Sequence, residues 1–188
     1  YKRQVLQRDA EIIKQSSRAS QLDRSGYQLH DLLSRDTLDM ARLFAGSEGT
    51  LGLITEATLA TEPLPAARGV VLLLFDRLVD AAHAVMDVRQ EPISACDLID
   101  RRHLSLAREN DVRFDLLIPP ETETVLLVEV QADSASSAHR QLESILDRVK
   151  SGKHPPIGAR MTTDAEDVEI YWDLARKVVP TLLSLIHI

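Results

Sequence analysis

The chain has 188 residues, 44% of them apolar and 27% charged, with 22 Lys and Arg against 29 Asp and Glu and a formal net charge of −7. That apolar content excludes a disordered chain, and the acidic balance argues against a nucleic-acid grip, which needs surplus cations to neutralise phosphate. No apolar run approaches the ~20 residues that cross a bilayer and no charged-then-apolar leader opens the chain, so the expectation is a soluble protein without an export signal. One cysteine, Cys96, cannot form an internal disulfide, and the six histidines lack metal-ligand spacing.

Residues 3–17 place Val5, Leu6, Ile12 and Ile13 at a weak helical spacing. Arg24-Ser25-Gly26-Tyr27-Gln28-Leu29 reads as a turn, and residues 37–44 as a short helix. Gly46-Ser47-Glu48-Gly49-Thr50-Leu51-Gly52 then concentrates three of the seven glycines of the chain and runs into residues 53–59, whose Thr and aliphatic content predicts a strand. Pro63 and Pro65 cannot sit inside a ladder or a helix interior, so they mark a domain boundary, giving 1–62 and 63–188.

Beyond it, residues 69–75 predict a buried strand, and 78–89 a helix with Val79, Ala82, Val85 and Met86 on one face. Residues 93–99 predict a second strand, with 98–108 as an alternative helix start, and 124–131 a third. The amphipathic stretch 136–150 carries Ala138, Leu142, Ile145, Leu146 and Val149. A last strand falls at 157–163, and a helix capped by Asp164 follows, with Val168, Ile170, Tyr171, Leu174 and Val178 as its stripe. From Gly69 the order is β-α-β-β-α-β and then helix, the ferredoxin-like split βαβ pattern: an α+β fold in which two helices cover one face of a four-stranded antiparallel sheet. Many unrelated functions use it.

The glycine segment has two readings on chemistry alone. It is an ordinary turn before a strand, or a place where backbone amides and the Ser47 and Thr50 hydroxyls approach a flat or anionic ligand. There is no Gly-Lys-Ser/Thr of a triphosphate loop, the glycine spacing is not the dinucleotide pattern, and no helix N-terminus follows. A non-catalytic ferredoxin-like module that binds a small effector or a partner chain therefore stands as an alternative to an enzyme.

The two motifs Arg24-Ser25-Gly26-Tyr27-Gln28-Leu29 and Gly46-Ser47-Glu48-Gly49-Thr50-Leu51-Gly52-Leu53-Ile54-Thr55-Glu56-Ala57-Thr58-Leu59 closely resemble the end of the flavin domain in FAD-linked oxidases of the vanillyl-alcohol oxidase superfamily, of the glycolate oxidase and D-lactate dehydrogenase type. The resemblance is sharp over residues 20–65 and architectural beyond. It implies the C-terminal part of a PCMH-type FAD-binding domain followed by a ferredoxin-like cap domain. It implies FAD as cofactor, held through main-chain contacts of Glu48, Gly49, Thr50, Leu51, Gly52, Leu53 and Ile54. The reaction it implies is hydride transfer from C2 of a 2-hydroxy acid (D-lactate, glycolate or D-2-hydroxyglutarate type) to the flavin, with an iron–sulfur domain or subunit as electron acceptor. The implied location is the cytoplasm, or the inner face of the membrane as a peripheral protein. Within this reading Glu48 is a structural carboxylate holding its own loop, and Tyr27 either lines the cofactor or packs beneath it.

Relatives that act on 2-hydroxy acids hold the substrate carboxylate with an arginine three residues after a helical tryptophan; here Trp172 is followed by Ala175 at that spacing and by Arg176 one further on. Arg176 is thus the candidate substrate clamp, its alternative a cation near a helix end or paired with Asp173. Cys96 is read as a small buried hydrophobe, His103 and His139 as solvated surface, and Asp97 and Asp100 as exposed charges. No pyrophosphate loop precedes Tyr27, and the downstream metal and base histidines of the family have no counterpart, so both ends look truncated relative to the family. The segments 1–4 and 184–188 fit the family poorly and read as translated library-adapter sequence. Residues 1–62 would then lack their partner layers, and the chain alone is expected to bind FAD weakly or not at all.

Overall fold

A computed structural model describes residues 2–16, 26–30, 32–34 and 37–176. Arg24, Ser25, Val178 and the segment 184–188 lie outside the described residues. The chain divides into two compact units, residues 1–61 and 62–188.

In the first unit the weak apolar spacing gives two short helices, α1 (Lys2–Arg8) and α2 (Ala10–Ser16), joined at Asp9, whose amide still reaches the Val5 carbonyl. β1 (Leu33–Ser34) and β2 (Thr37–Leu38) form a small antiparallel pair with Leu33 opposite Leu38. The helix expected from residue 37 begins later, as α3 (Met40–Phe44), because Thr37 and Leu38 are taken into that pair and the Asp39 carboxylate caps the helix by accepting from the Arg42 amide. The strand expected at 53–59 does not form. Residues 52–65 carry no strand assignment, and every residue from 48 to 64 is exposed. Thr and aliphatic side chains favour a strand only against a partner backbone and a packing face, and no described strand offers either.

In the second unit the elements are β3 (Ala67–Phe75), α4 (Leu78–Val88), β4 (Ala95–Ile99), α5 (Arg101–Asn110), α6 (Arg113–Leu117), β5 (Thr124–Ala132), α7 (Ala135–Ser151), β6 (Gly158–Thr162) and α8 (Ala165–Arg176). The sheet runs β4-β5-β3-β6, antiparallel throughout, so the two long apolar strands are central. This is the ferredoxin-like order, and the unit is α+β as expected.

Alternation along β3 decides the layers. Val71, Leu73 and Phe75 face α4 and α7, while Val70, Leu72 and Leu74 face α5, α6 and α8. Helices therefore cover both faces of the sheet rather than one. The second layer arises from the stretch between β4 and β5, where Leu104, Ala107 and Phe114 are fully buried, and from α8. The expected inner face of α4 is also corrected: Ala81, Ala84 and Val88 are buried, whereas Val79 and Met86 are exposed, because the helix turns its small residues to the sheet. The α7 stripe of Ala138, Leu142, Ile145 and Val149 packs as its spacing predicts. No helix among the described residues is long and apolar enough to cross a membrane.

Candidate functional site

The glycine loop of the first unit is a tight turn. Glu48 and Gly49 both take positive φ (49° and 79°), and the Thr50 amide donates to the Ser47 carbonyl at 2.9 Å, the pattern of a type I′ turn. The Thr50 hydroxyl donates to the same carbonyl at 2.6 Å, and the Tyr27 hydroxyl lies 2.8 Å from Thr50 Oγ1. Since the Thr50 proton is directed to Ser47, Tyr27 is the donor of that pair. The Thr50 hydroxyl expected to face a ligand is therefore spent inside the loop, and Ser47 is buried. Among the described residues, the only backbone hydrogen bond from an amide of residues 48–54 is that of Thr50, and all seven residues are exposed. A backbone surface of this kind suits the main-chain contacts a flavin nucleotide needs. At Gly52 a side chain would meet the Phe44 ring at 3.1 Å, so a glycine keeps this stretch against α3.

The second unit contains a polar cluster that sequence reasoning missed. Glu129 continues the inward stripe of β5, Val125 and Leu127, and its carboxylate is 5% exposed. An unpaired charge there would be costly. Arg68, at the start of β3, donates to Glu129 Oε2 from Nε at 3.0 Å and from Nη2 at 2.6 Å. The Trp172 indole N–H donates to the same oxygen at 2.7 Å, while Ser94 and Gln131 donate to Oε1 at 3.0 and 3.3 Å. Burial by itself pushes this carboxyl up, but the hydrogen bonds from Arg68, Trp172, Gln131 and Ser94 outweigh it and hold the group below its ordinary value.

From this buried anchor the cluster reaches the surface. Glu169 on α8 accepts from Arg68 Nη1 at 2.8 Å and, through its other oxygen, from Arg176 Nη1 at 2.9 Å. These bonds, Arg68 first and Arg176 second, hold the Glu169 carboxyl below its usual value. The four-residue step from Trp172 to Arg176 places the guanidinium over the indole, 5.4 Å from the ring centroid. So the helix puts Arg176 next to Trp172 despite the shifted spacing, and its ion pair is with Glu169. Half of the Arg176 side chain remains exposed. The signal for this cluster was in the sequence: a carboxylate inside a strand buried on both faces requires a partner, and Arg68 opens the strand next to it.

The other singled-out residues fall as follows. Cys96 is half-buried against the α4–α7 core, and burial, then the neighbouring Asp97 charge, pushes its thiol up. Asp100 caps α5 by accepting from the His103 amide, and His139 is an exposed partner of Glu143. His103 is not simply solvated: its Nε2 lies 3.1 Å from the Leu174 carbonyl, tying α5 to α8. His83 and His154, distant in sequence, stack at 4.4 Å, with His154 Nδ1 2.5 Å from Asp80. No group of three or more ligating side chains able to hold a metal occurs among the described residues.

A ferredoxin-like α+β unit with an arginine-centred anion cluster on one helix layer is the class that fold and site define. The chain belongs to the family described as FAD linked oxidases, C-terminal domain, which it matches over residues 64–187. FAD is the cofactor that goes with this family. The chain is 32% identical over 171 residues to D-2-hydroxyglutarate dehydrogenase of Pantoea ananatis, a match over 84% of this chain and 17% of that protein. It is 34% identical over 116 residues to glycolate oxidase subunit GlcD of Bacillus subtilis (61% of this chain, 24% of that protein). It is likewise 34% identical over 116 residues to D-lactate dehydrogenase [cytochrome] 1, mitochondrial, of Saccharomyces cerevisiae (60% and 18%). The matched part thus spans about a sixth to a quarter of each relative.

Proposed function

We propose that this chain supplies the end of a flavin domain, residues 1–62, and part of the cap domain, residues 63–188, of an FAD-dependent dehydrogenase or oxidase acting on a 2-hydroxy acid. Residues 48–54 would hold FAD by their exposed main chain, and the observation that carries this is the loop geometry: the Thr50 and Tyr27 hydroxyls close the turn, and among the described residues no amide of 48–54 except that of Thr50 makes a backbone hydrogen bond. When bound, the flavin supplies the acceptor for the hydride leaving C2 of the substrate. This chain's own contribution is to position the acid. Arg176, stacked on Trp172 and half open to solvent, is the clamp for the substrate carboxylate, a role that a planar fork performs and an ammonium does not.

The names of the three relatives support a 2-hydroxy-acid substrate, and that of the yeast enzyme supports passing the electrons to a separate redox partner; an iron–sulfur domain or subunit is our reading of that partner here. We place the intact enzyme in the cytoplasm or peripherally at the inner face of the membrane. Replacing Arg176 by Lys in the full-length enzyme should raise KM or lower kcat by about tenfold or more, the scale of a lost bidentate contact. Steady-state kinetics with D-lactate, glycolate and D-2-hydroxyglutarate check this; kinetics unchanged for all three would remove Arg176 from the site.

A further inference from the structure

The fork between Arg68 and Arg176 is already filled by a carboxylate of the chain itself. Glu169 bridges the two guanidinium groups, one oxygen to each, at 2.8 and 2.9 Å. Both arginines are fixed independently of Glu169: Arg68 by two bonds to buried Glu129, and Arg176 by its stack on Trp172, whose indole is itself anchored to Glu129. Glu169, in contrast, is held only by these two arginines among the described residues, and its side chain is half exposed. The four charged groups sum to zero, so taking Glu169 away leaves one uncompensated positive charge between two preorganised donors.

We propose that Glu169 is a resident surrogate for a ligand carboxylate, and that an incoming carboxylic acid displaces it to bind between Arg68 and Arg176. The proposal rests on the reading of Arg176 as a substrate clamp and adds Arg68 as its second jaw and Glu169 as its gate. A tethered carboxylate competes at an effective concentration of about millimolar or above. The site therefore binds weak carboxylates poorly while Glu169 is in place, and an α-hydroxyl or a second anchoring contact lets a true ligand win.

The sole tryptophan of the chain, Trp172, lies under Arg176 and reports directly on its movement. The test uses the whole 188-residue chain, with glycolate and acetate as probes at constant ionic strength. In Glu169→Gln, half-saturation of the Trp172 fluorescence change by glycolate should fall at least fivefold relative to the unsubstituted chain. The gain should vanish in the double variant E169Q/R176Q. In the unsubstituted chain, saturating glycolate should shift the Nε–H resonances of Arg68 and Arg176 together in a 15N–1H spectrum, a readout independent of whether the variants fold, which far-UV circular dichroism monitors. Equal half-saturation in the unsubstituted and E169Q chains, a gain that survives R176Q, or unmoved arginine resonances overturns the proposal. A fivefold gain for glycolate and acetate alike upholds the gated fork and counts instead against the 2-hydroxy-acid reading above.

Discussion

Glu129 gathers donors from five side-chain atoms onto one carboxylate, and its consequences are acid–base as well as structural. Its folded-state value lies below the ordinary one, so as pH falls the unfolded chain takes up the proton first. The stability this contributes is whole above about pH 4.3, the unperturbed carboxyl value, and is lost as pH falls through the lower folded value. Glu129→Gln should therefore cost about 2–3 kcal/mol at pH 7 and flatten the loss of stability on acidification, read as urea midpoints between pH 3 and 6. The cost stays below the ~3–5 kcal/mol of a fully buried pair because Arg68 is a third exposed and keeps Glu169. At the other end of the chain, Glu48 occupies the left-handed region, unfavourable by ~1–2 kcal/mol for a residue with a Cβ. Glu48→Gly should relieve that strain and leave the Tyr27–Thr50 contact in place, which Tyr27 resonances can confirm. A loss of the contact would mean that the carboxylate itself holds the loop.

At the scale of elements, α7 lies so close to β3 that the approach is set by a missing side chain. A Cβ on Gly69 would come within 2.9 Å of Leu142 Cδ1, 3.2 Å of Thr163 Cγ2 and 3.3 Å of Ala138 Cβ. Leu142 can swing aside for one methyl but not for a branched side chain between three neighbours. Gly69→Ala should cost about 1 kcal/mol and Gly69→Val about 3 kcal/mol or more, the range of overpacked cores; equilibrium denaturation of both variants checks the gradient. The same logic separates the strands that formed from the one that did not. β3 and β5 pair along nine residues and are sealed on both faces. Residues 53–59 have the same propensity, and no described backbone pairs with them.

The whole molecule is uneven. Residues 62–188 hold two apolar clusters on either side of one sheet, whereas Leu32 is the one buried apolar side chain described in residues 1–61. Local opening should follow that division. Thermolysin should cut first between residues 53 and 64, where Leu53, Leu59 and Leu64 are 92%, 80% and 94% exposed, and leave a resistant product starting near Ala67; mass spectrometry of the first products decides it. Flavin titration of the 188-residue chain should give a dissociation constant above micromolar, because among the described residues the loop flank 48–64 is exposed throughout and would have to be ordered on binding. Sub-micromolar affinity would contradict that.

Much of the fold was legible residue by residue. The apolar runs at 69–75 and 124–131, the 3.6-residue stripe of α7, and Asp164 before α8 are local patterns, and local patterns specify elements and their order. The turn at the glycine segment is local for the same reason, as is the family likeness around residues 46–59. Which face of α4 turns inward, the second helix layer from α5, α6 and α8, and the failure of 53–59 to pair depend on what lies opposite, which no window of sequence contains. The Glu129 cluster is of that kind: Arg68, Glu129 and Trp172 are separated by 61 and 43 residues. The sequence determined that a charge would be buried in β5; only the pairing of β3 with β5 and the packing of α8 on the sheet brought Arg68 and Trp172 to it and set Glu169 between two arginines, because side chains from distant segments meet by tertiary packing and not by spacing along the chain.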